Sequence, residues 1–445
     1  MSKKNLPPRF STFLAVAGVA FALVAGVVPV GSAQQGAAQP AAVNPKTAAI
    51  REATAEVLKE ASEIRQLKVL RAVESGAQTR AEIEQMLVRN LNENTTPEEM
   101  RASELALKKF GLAPADFSLR PFIISLLTEQ VAGYYDPKSQ RFYLADWIDL
   151  DGQKPVMAHE LGHALQDQHF NLRRFEDWPK HDSDAELAAH ALVEGDATVL
   201  MMHYVRRSPL RALAMLRSMT TSGASTEQLD KAPRALRETL VFPYEQGAMW
   251  AAHVYARGGW PLISKSFTEL PKSTEQIIHP EKYFAGESPV AVVAPADVTS
   301  KLGKGWKRAD HDVNGEWGYY LILDQYLNAK DESRRAAAGW GGDRYVLYTG
   351  PTGADVMVAH TSVWDTEQDA VEFYDAYLKR TALRYPDAKK WMPANWRGAA
   401  WTTSEGSVLV ERRGARVLVA EGVPASNALD LFNALWKNPA VAKRK

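Results

Sequence analysis

The sequence predicts an α+β protein in two parts: a mostly helical domain with a small β-sheet over about residues 45–295, and a smaller α+β domain over about 300–445. Three observations point that way. Helical apolar periodicity dominates the first half, and a short aromatic strand–turn–strand passage interrupts it near 131–147. Beyond Pro289, blocks of strand-like residues return around one long helical stretch. The 445 residues, 46% hydrophobic and 24% charged, have ordinary globular composition and suffice for two domains.

From Thr47 to about Val73, the residues Ile50, Val57, Leu58, Ile64, Leu67 and Leu70 make one apolar stripe among charges, which predicts a helix. Further helices are expected over Thr79–Leu91, Pro97–Phe110 and Leu119–Val131, with Thr96 as N-cap and Pro97 at the first helical position of the middle one. In "VAGYYDPKSQRFYLADW" the aromatics Tyr134, Tyr135, Phe142 and Tyr143 flank the turn Asp136-Pro137-Lys138-Ser139. The next helix is expected to begin near Pro155, a second to run over Asp182–Val205, and a third over Tyr244–Arg257, stopped by Gly258 and Gly259. In the last third, "DRYVLYT" and "DVMVAHTSVW" read as strands before a helix over Thr366–Tyr385. Residues 398–422 read as two or three more strands, and a final helix covers Ala425–Trp436. "GWGGDRY" has no phosphate-loop spacing or lysine and reads as a turn.

The N-terminus combines Lys3, Lys4 and Arg9 with an uncharged apolar run, Phe13–Val28, and the small residues Gly31, Ser32 and Ala33. That pattern predicts an export signal over 1–33, cleaved after Ala33, followed by a loose leader over 34–44. An uncleaved anchor is the competing reading, and the run is short for a span of about 20 residues. Any membrane contact is therefore expected only through this segment, and a periplasmic or secreted location follows. Loss of the signal takes the net charge from 0 to −3, which offers nothing to nucleic acid. Cysteine is absent, so disulfides, thiolate metal sites and cysteine chemistry are excluded. Any metal must be held by His, Asp or Glu.

"MAHELGHALQDQHF" places His159 and His163 four apart, hence side by side on one face of a helix. Two imidazole nitrogens can then bind one Zn²⁺ at about 2.0–2.1 Å. Glu160 stands where a carboxylate reaches the metal's water instead of the metal, the place of a general base. Such a motif arises by chance in a chain this long at a rate of about one in a hundred. The third ligand is expected from "DAELAAHALVEGDATVL", where Glu194 and His190 share a helix face and compete. A glutamate among so many apolar neighbours needs a cation or several donors. Asp196 either supports a ligating imidazole or caps and solvates its helix. Tyr244, His253 and Tyr255 are equal candidates for the oxyanion donor that such chemistry needs. His169, His181, His203 and His279 lie outside the pattern, and His279 before Pro280 reads as structural. Trp391, Trp396 and Trp401 are read as core in preference to a glycan-binding face.

Together, His159-Glu160-Leu161-Gly162-His163, Glu194-Gly195-Asp196-Ala197 and Pro243-Tyr244-Glu245-Gln246-Gly247 resemble the gluzincin metallopeptidases. In the M1-type aminopeptidases of that group, HExxH is followed by an E-G-x-A ligand and a Y-x-x-G tyrosine. The resemblance implies a zincin-like helical domain with His159, His163 and Glu194 as zinc ligands, Glu160 as base and Tyr244 as oxyanion donor. Over about 45–435 the chain also looks like a sparsely characterised family of bacterial proteins grouped as metallopeptidases, through "GYYDPKSQRFYL", "FPYEQGA", "STEQIIHPEKY" and "VWDTEQDAVEFY". Peptides or proteins are the implied substrates. Two departures stand out: an insertion at about Phe170–Asp184 separates the metal helices, and the Gly-x-Met-Glu-Asn element that holds a free amino end is missing. An endopeptidase is therefore expected over an aminopeptidase, with an edge strand such as Arg141–Ala145 pairing with an extended substrate. A zinc-stabilised envelope protein without turnover, and a zinc amide or ester hydrolase, are the alternatives.

Overall fold

The computed structural model describes residues 45–147, 150–175, 181–221, 227–392 and 396–438. The expected signal and leader lie outside the described residues, and no described helix is long and apolar enough to cross a membrane.

Helix α1 (Pro45–Arg65) stops short of the expected Val73, because Gln66 turns left-handed at φ 60°. The chain then enters β1 (Glu74–Gln78), a strand absent from the sequence reading. Helices α2 (Arg80–Asn94) and α3 (Pro97–Phe110) each open on a capping box, built by Thr79 with Glu82 and by Thr96 with Glu99. Helix α4 (Leu119–Gln130) leads into the expected hairpin of β2 (Gly133–Asp136) and β3 (Arg141–Ala145).

This small sheet has the order β1-β3-β2, with β1 parallel and β2 antiparallel to β3. Arg141–Ala145, expected as an exposed edge, is therefore the central strand, and its pairing capacity is already taken on both sides. The error traces to "ESGAQ", which has neither β-branched residues nor apolar alternation. Only its partner makes it a strand.

Helix α5 (Leu150–Phe170) is followed by a 3₁₀ turn at Leu172–Phe175 and by α6 (Ser183–Arg206), whose first turn is capped by the Asp182 carboxylate. After α7 (Pro209–Thr221) and the short α8 (Glu227–Lys231) comes α9 (Arg234–Ser266). Both α5 and α9 begin earlier than expected, since Pro155 and Pro243 lie inside them and not at their starts. A proline forfeits one backbone bond within a helix, and the packing described below outweighs that loss. Gly258 and Gly259 do break α9, the second at φ 63°.

The short helices α10 (Thr274–Ile278), α11 (Pro280–Ala285) and α12 (Thr299–Leu302) lead to β4 (Lys307–Asp312). Then follow α13 (Gly315–Leu327), α14 (Lys330–Ala337), β5 (Trp340–Thr349), β6 (Val356–Trp364) and α15 (Glu367–Arg384). Strands β7 (Lys389–Trp391), β8 (Ala399–Thr403), β9 (Gly406–Arg413) and β10 (Arg416–Val423) precede α16 (Ala428–Leu435). The "GWGGDRY" stretch is not a separate turn: Trp340–Tyr345 already belongs to β5, where a register slip between Trp340 and Gly342 absorbs the glycines.

All seven later strands form one antiparallel sheet, ordered β4-β5-β6-β10-β9-β8-β7. Its strands alternate cleanly: Tyr345, Leu347, Val358, Val410 and Val419 face α3, α13 and α15, while Val346, Met357, Leu409 and Leu418 face α16. Trp401 is buried in the first of these layers, as core. The helical part has its own core, built from α1, α5, α6 and α9 around Leu161, Leu192, Tyr204 and Trp250. The two parts join through α3. Arg384 donates to the Lys109 carbonyl at 2.7 Å, and Arg380 donates to that of Phe110. Both arginines share the buried carboxylate of Glu421, at 2.6 and 2.8 Å.

Candidate metal centre

Three helices meet at glycines. A Cβ on Gly162 of α5 would stand 2.9 Å from Leu200 on α6. One on Gly195 of α6 would stand 2.1 Å from the Gly247 carbonyl oxygen, and one on Gly247 of α9 would stand 2.2 Å from that of Ala191. At Gly195 and Gly247 the contacts are backbone atoms, and only a residue without a side chain permits backbones this close; at Gly162 the contact is the tip of the Leu200 side chain. The glycines that punctuate HELGH, EGDA and PYEQG are thus the contact points that bring His159, Glu194 and Tyr244 together.

The side chains converge accordingly. His159 Nε2 lies 3.0 Å from Glu194 Oε2, His163 Nε2 lies 3.4 Å from the same oxygen, and the two Nε2 atoms are 3.1 Å apart. Ligands at about 2.0–2.1 Å around a tetrahedral ion stand about 3.3 Å from one another, so the triangle has the right size for zinc. His159, His163 and Glu194 are 3%, 4% and 2% exposed. Among the described residues this metal-ligand group has three members, His159, His163 and Glu194. His190 stands one turn before Glu194 but does not join it, and burial pulls its imidazole down to about 4.

The next layer fixes the ring orientation. His163 Nδ1 donates to Gln166 Oε1 at 2.9 Å, which commits Nε2 to the ligand side. Gln166 in turn donates to the Val193 carbonyl at 3.0 Å and to Asp196 Oδ2 at 2.9 Å. Arg65, from the end of α1, closes the chain with a 2.6 Å contact to Asp196 Oδ1, both side chains being 1% exposed. Asp196 thus supports the imidazole through Gln166 and not directly. Sequence reading passed over Gln166 and Arg65. Gln166 carries a local signal, three residues after His163 on the same face; Arg65 carries none.

Glu160 is fully buried, and its Oε2 accepts from the Tyr135 backbone N–H at 2.9 Å. The outer strand β2 thereby anchors the carboxylate beside the two histidines. Tyr244 is half-buried, its ring nearly parallel to that of His159 with centroids 6.1 Å apart. Its rivals turn elsewhere: Tyr255 packs on His203 and Trp260, and His253 on Phe284. His279 accepts a structural place, 2.9 Å from Glu316.

Without a metal, electrostatics place a proton in the triangle. Burial pulls His163 down, but the charge and hydrogen bond of Glu194, helped by Glu160, outweigh it and raise the imidazole to about 9. Burial pushes Glu194 up, yet His163 and His159 hold it well below the usual carboxylate range. His159 is lowered, chiefly by burial. A divalent cation at these three donors would have to displace that proton.

The family model described as a domain of unknown function (DUF8575) matches residues 301–432, which run from the end of α12 through the seven-stranded sheet into α16 and leave the histidine helices outside. No curated protein and no solved structure matches the chain.

Proposed function

We propose that the chain is an exported zinc-dependent metallopeptidase that cuts peptide bonds inside its substrates. The observation that carries this reading is the three-membered ligand set. Structural zinc sites are closed by four protein ligands, whereas catalytic ones keep three and leave a fourth position for water or substrate. Zinc bound to His159, His163 and Glu194 would supply Lewis acidity, polarising a carbonyl and acidifying water. The chain's own groups would do the rest. Glu160, held by the Tyr135 amide, takes a proton from the attacking water and returns it to the leaving amine. Tyr244 donates its phenol O–H to the oxyanion. The Gln166–Asp196–Arg65 chain keeps the His163 ring from rotating.

The near-complete burial of the ligands favours a second reading, in which the metal only clamps α5 to α6. Glu160→Gln separates the two. Under the peptidase reading, the variant keeps about one zinc at the triangle and loses at least 10²-fold in peptide hydrolysis. A variant as active as the wild type would remove Glu160 from the chemistry. Elemental analysis of Glu194→Ala tests the third ligand, with zinc retained at full affinity pointing to His190.

A further inference from the structure

We propose that His181, Asp310 and His311 form a second divalent metal site, which ties the start of α6 to the outer strand of the C-terminal sheet. His181 stands just before the Asp182 cap of α6, and Asp310 and His311 are consecutive on β4. One ligand atom from each lies within 4.8 Å of the others. His181 Nδ1 is 3.8 Å from Asp310 Oδ1, and the two imidazoles lie face to face with centroids 3.9 Å apart.

Neighbouring strand residues normally point to opposite faces. Here β4 is the outer strand, and its register against β5 slips between Arg308 and Asp310, the kind of irregularity that re-aims side chains at an edge. The second observation is Asp310 itself. It is 8% exposed, one carboxylate oxygen faces His181, and the other, Oδ2, is buried with no hydrogen-bond partner. A buried carboxylate oxygen without a donor is costly, and a bound cation removes that cost. Close by, Glu186 buries Oε1 in the same condition.

Glu275, Glu287 and Asp365 also form a compact acidic group, but Lys282 Nζ sits among them at 2.6, 2.7 and 2.6 Å and already serves as their cation. At the β4 site, Arg344 spends a donor on the His181 carbonyl, which helps fix the loop and leaves the imidazole facing Asp310. Two imidazoles and a carboxylate suit zinc, nickel or cobalt above calcium or magnesium. His181 and His311 are partly exposed, so the ion reaches the site from solvent. The ion would bridge the first turn of the helix that carries Glu194 and the sheet, with solvent completing its coordination at this partly exposed position.

The test is metal stoichiometry on the full mature chain, using Zn²⁺ alone and equilibrium dialysis against a weak chelator. Two zinc per chain are expected for the wild type and one for His311→Ala. His163→Ala/Glu194→Ala, which disables the first triangle, should also keep one, and adding His311→Ala to it should leave none. Should His311→Ala fail to fold, His181→Ala, outside both helix and sheet, gives the same count. One zinc in the wild type that disappears with the first triangle overturns the proposal. So does a second zinc that survives both His311→Ala and His181→Ala.

Discussion

Gly247→Ala puts the geometry of the helix crossing under direct stress. The added methyl would sit 2.2 Å from the Ala191 carbonyl oxygen and 3.0 Å from its Cα, both backbone atoms of α6. Comfortable carbon contacts lie at about 3.5–4.0 Å, so the helices must part by roughly 1 Å or more. Side-chain rotation cannot relieve the clash, which places the cost at the upper end of the about 1–3 kcal/mol typical of overpacking. The same movement draws Tyr244, one turn before Gly247, away from His159, and shifts Glu194 relative to the histidines. A misplacement of about 1 Å can reduce catalysis about 10²-fold. Urea unfolding of the zinc-loaded and metal-free forms measures the first effect; zinc competition with a chromophoric chelator measures the second. The expected result is a loss of about 3 kcal/mol together with weakened zinc binding. A variant within about 0.5 kcal/mol of wild type, with unchanged zinc affinity, would mean that the two helices do not cross at these glycines.

Gln166→Leu should leave the fold intact but weaken zinc about 10–100-fold, because His163 loses the acceptor that orients its ring; unchanged affinity would make that contact incidental. Glu421→Gln should be among the most damaging single changes in the C-terminal domain. It removes the counter-charge of two buried guanidiniums, at a cost of about 3–5 kcal/mol in a denaturant titration. Stability should also fall between about pH 4 and 7. Burial raises Asp343 to about 6 and Glu275 to about 7 from values near 4 in the unfolded chain. Both contributions are complete below pH 4 and disappear as pH rises through 6 and 7, on the order of 3 kcal/mol each. Glu421 has the opposite sign, being held down to about 2, but it acts below this window. A flat unfolding midpoint across about pH 4–7 in the presence of a chelator would refute the assignment.

The helix spacing of His159 and His163 was legible because it is a local property of one element, and so was the strand pair around Asp136-Pro137. Helix starts misled twice: Pro155 and Tyr244 read as first residues, whereas neighbouring contacts carry the helices back to Leu150 and Arg234. Strand β1 was invisible, since "ESGAQ" is extended only by virtue of lying beside Arg141–Ala145. The same omission turned the central strand into an edge. At the triangle the convergence of the three side chains was readable and their support was not, because the Arg65–Asp196 contact joins residues 131 positions apart and leaves no periodic trace.

That contact also sets an order of events during synthesis. Helix α1 is the first described element to leave the ribosome, and its last residue must wait for α6 before it meets Asp196. Until then the second support of His163 is missing, and the carboxylate beneath Gln166 stands without its cation. Closing such long-range pairs is slow compared with forming single helices. A nascent chain that has made α5 and α6 but not yet closed this pair would therefore hold an ion at the triangle less firmly than the finished one.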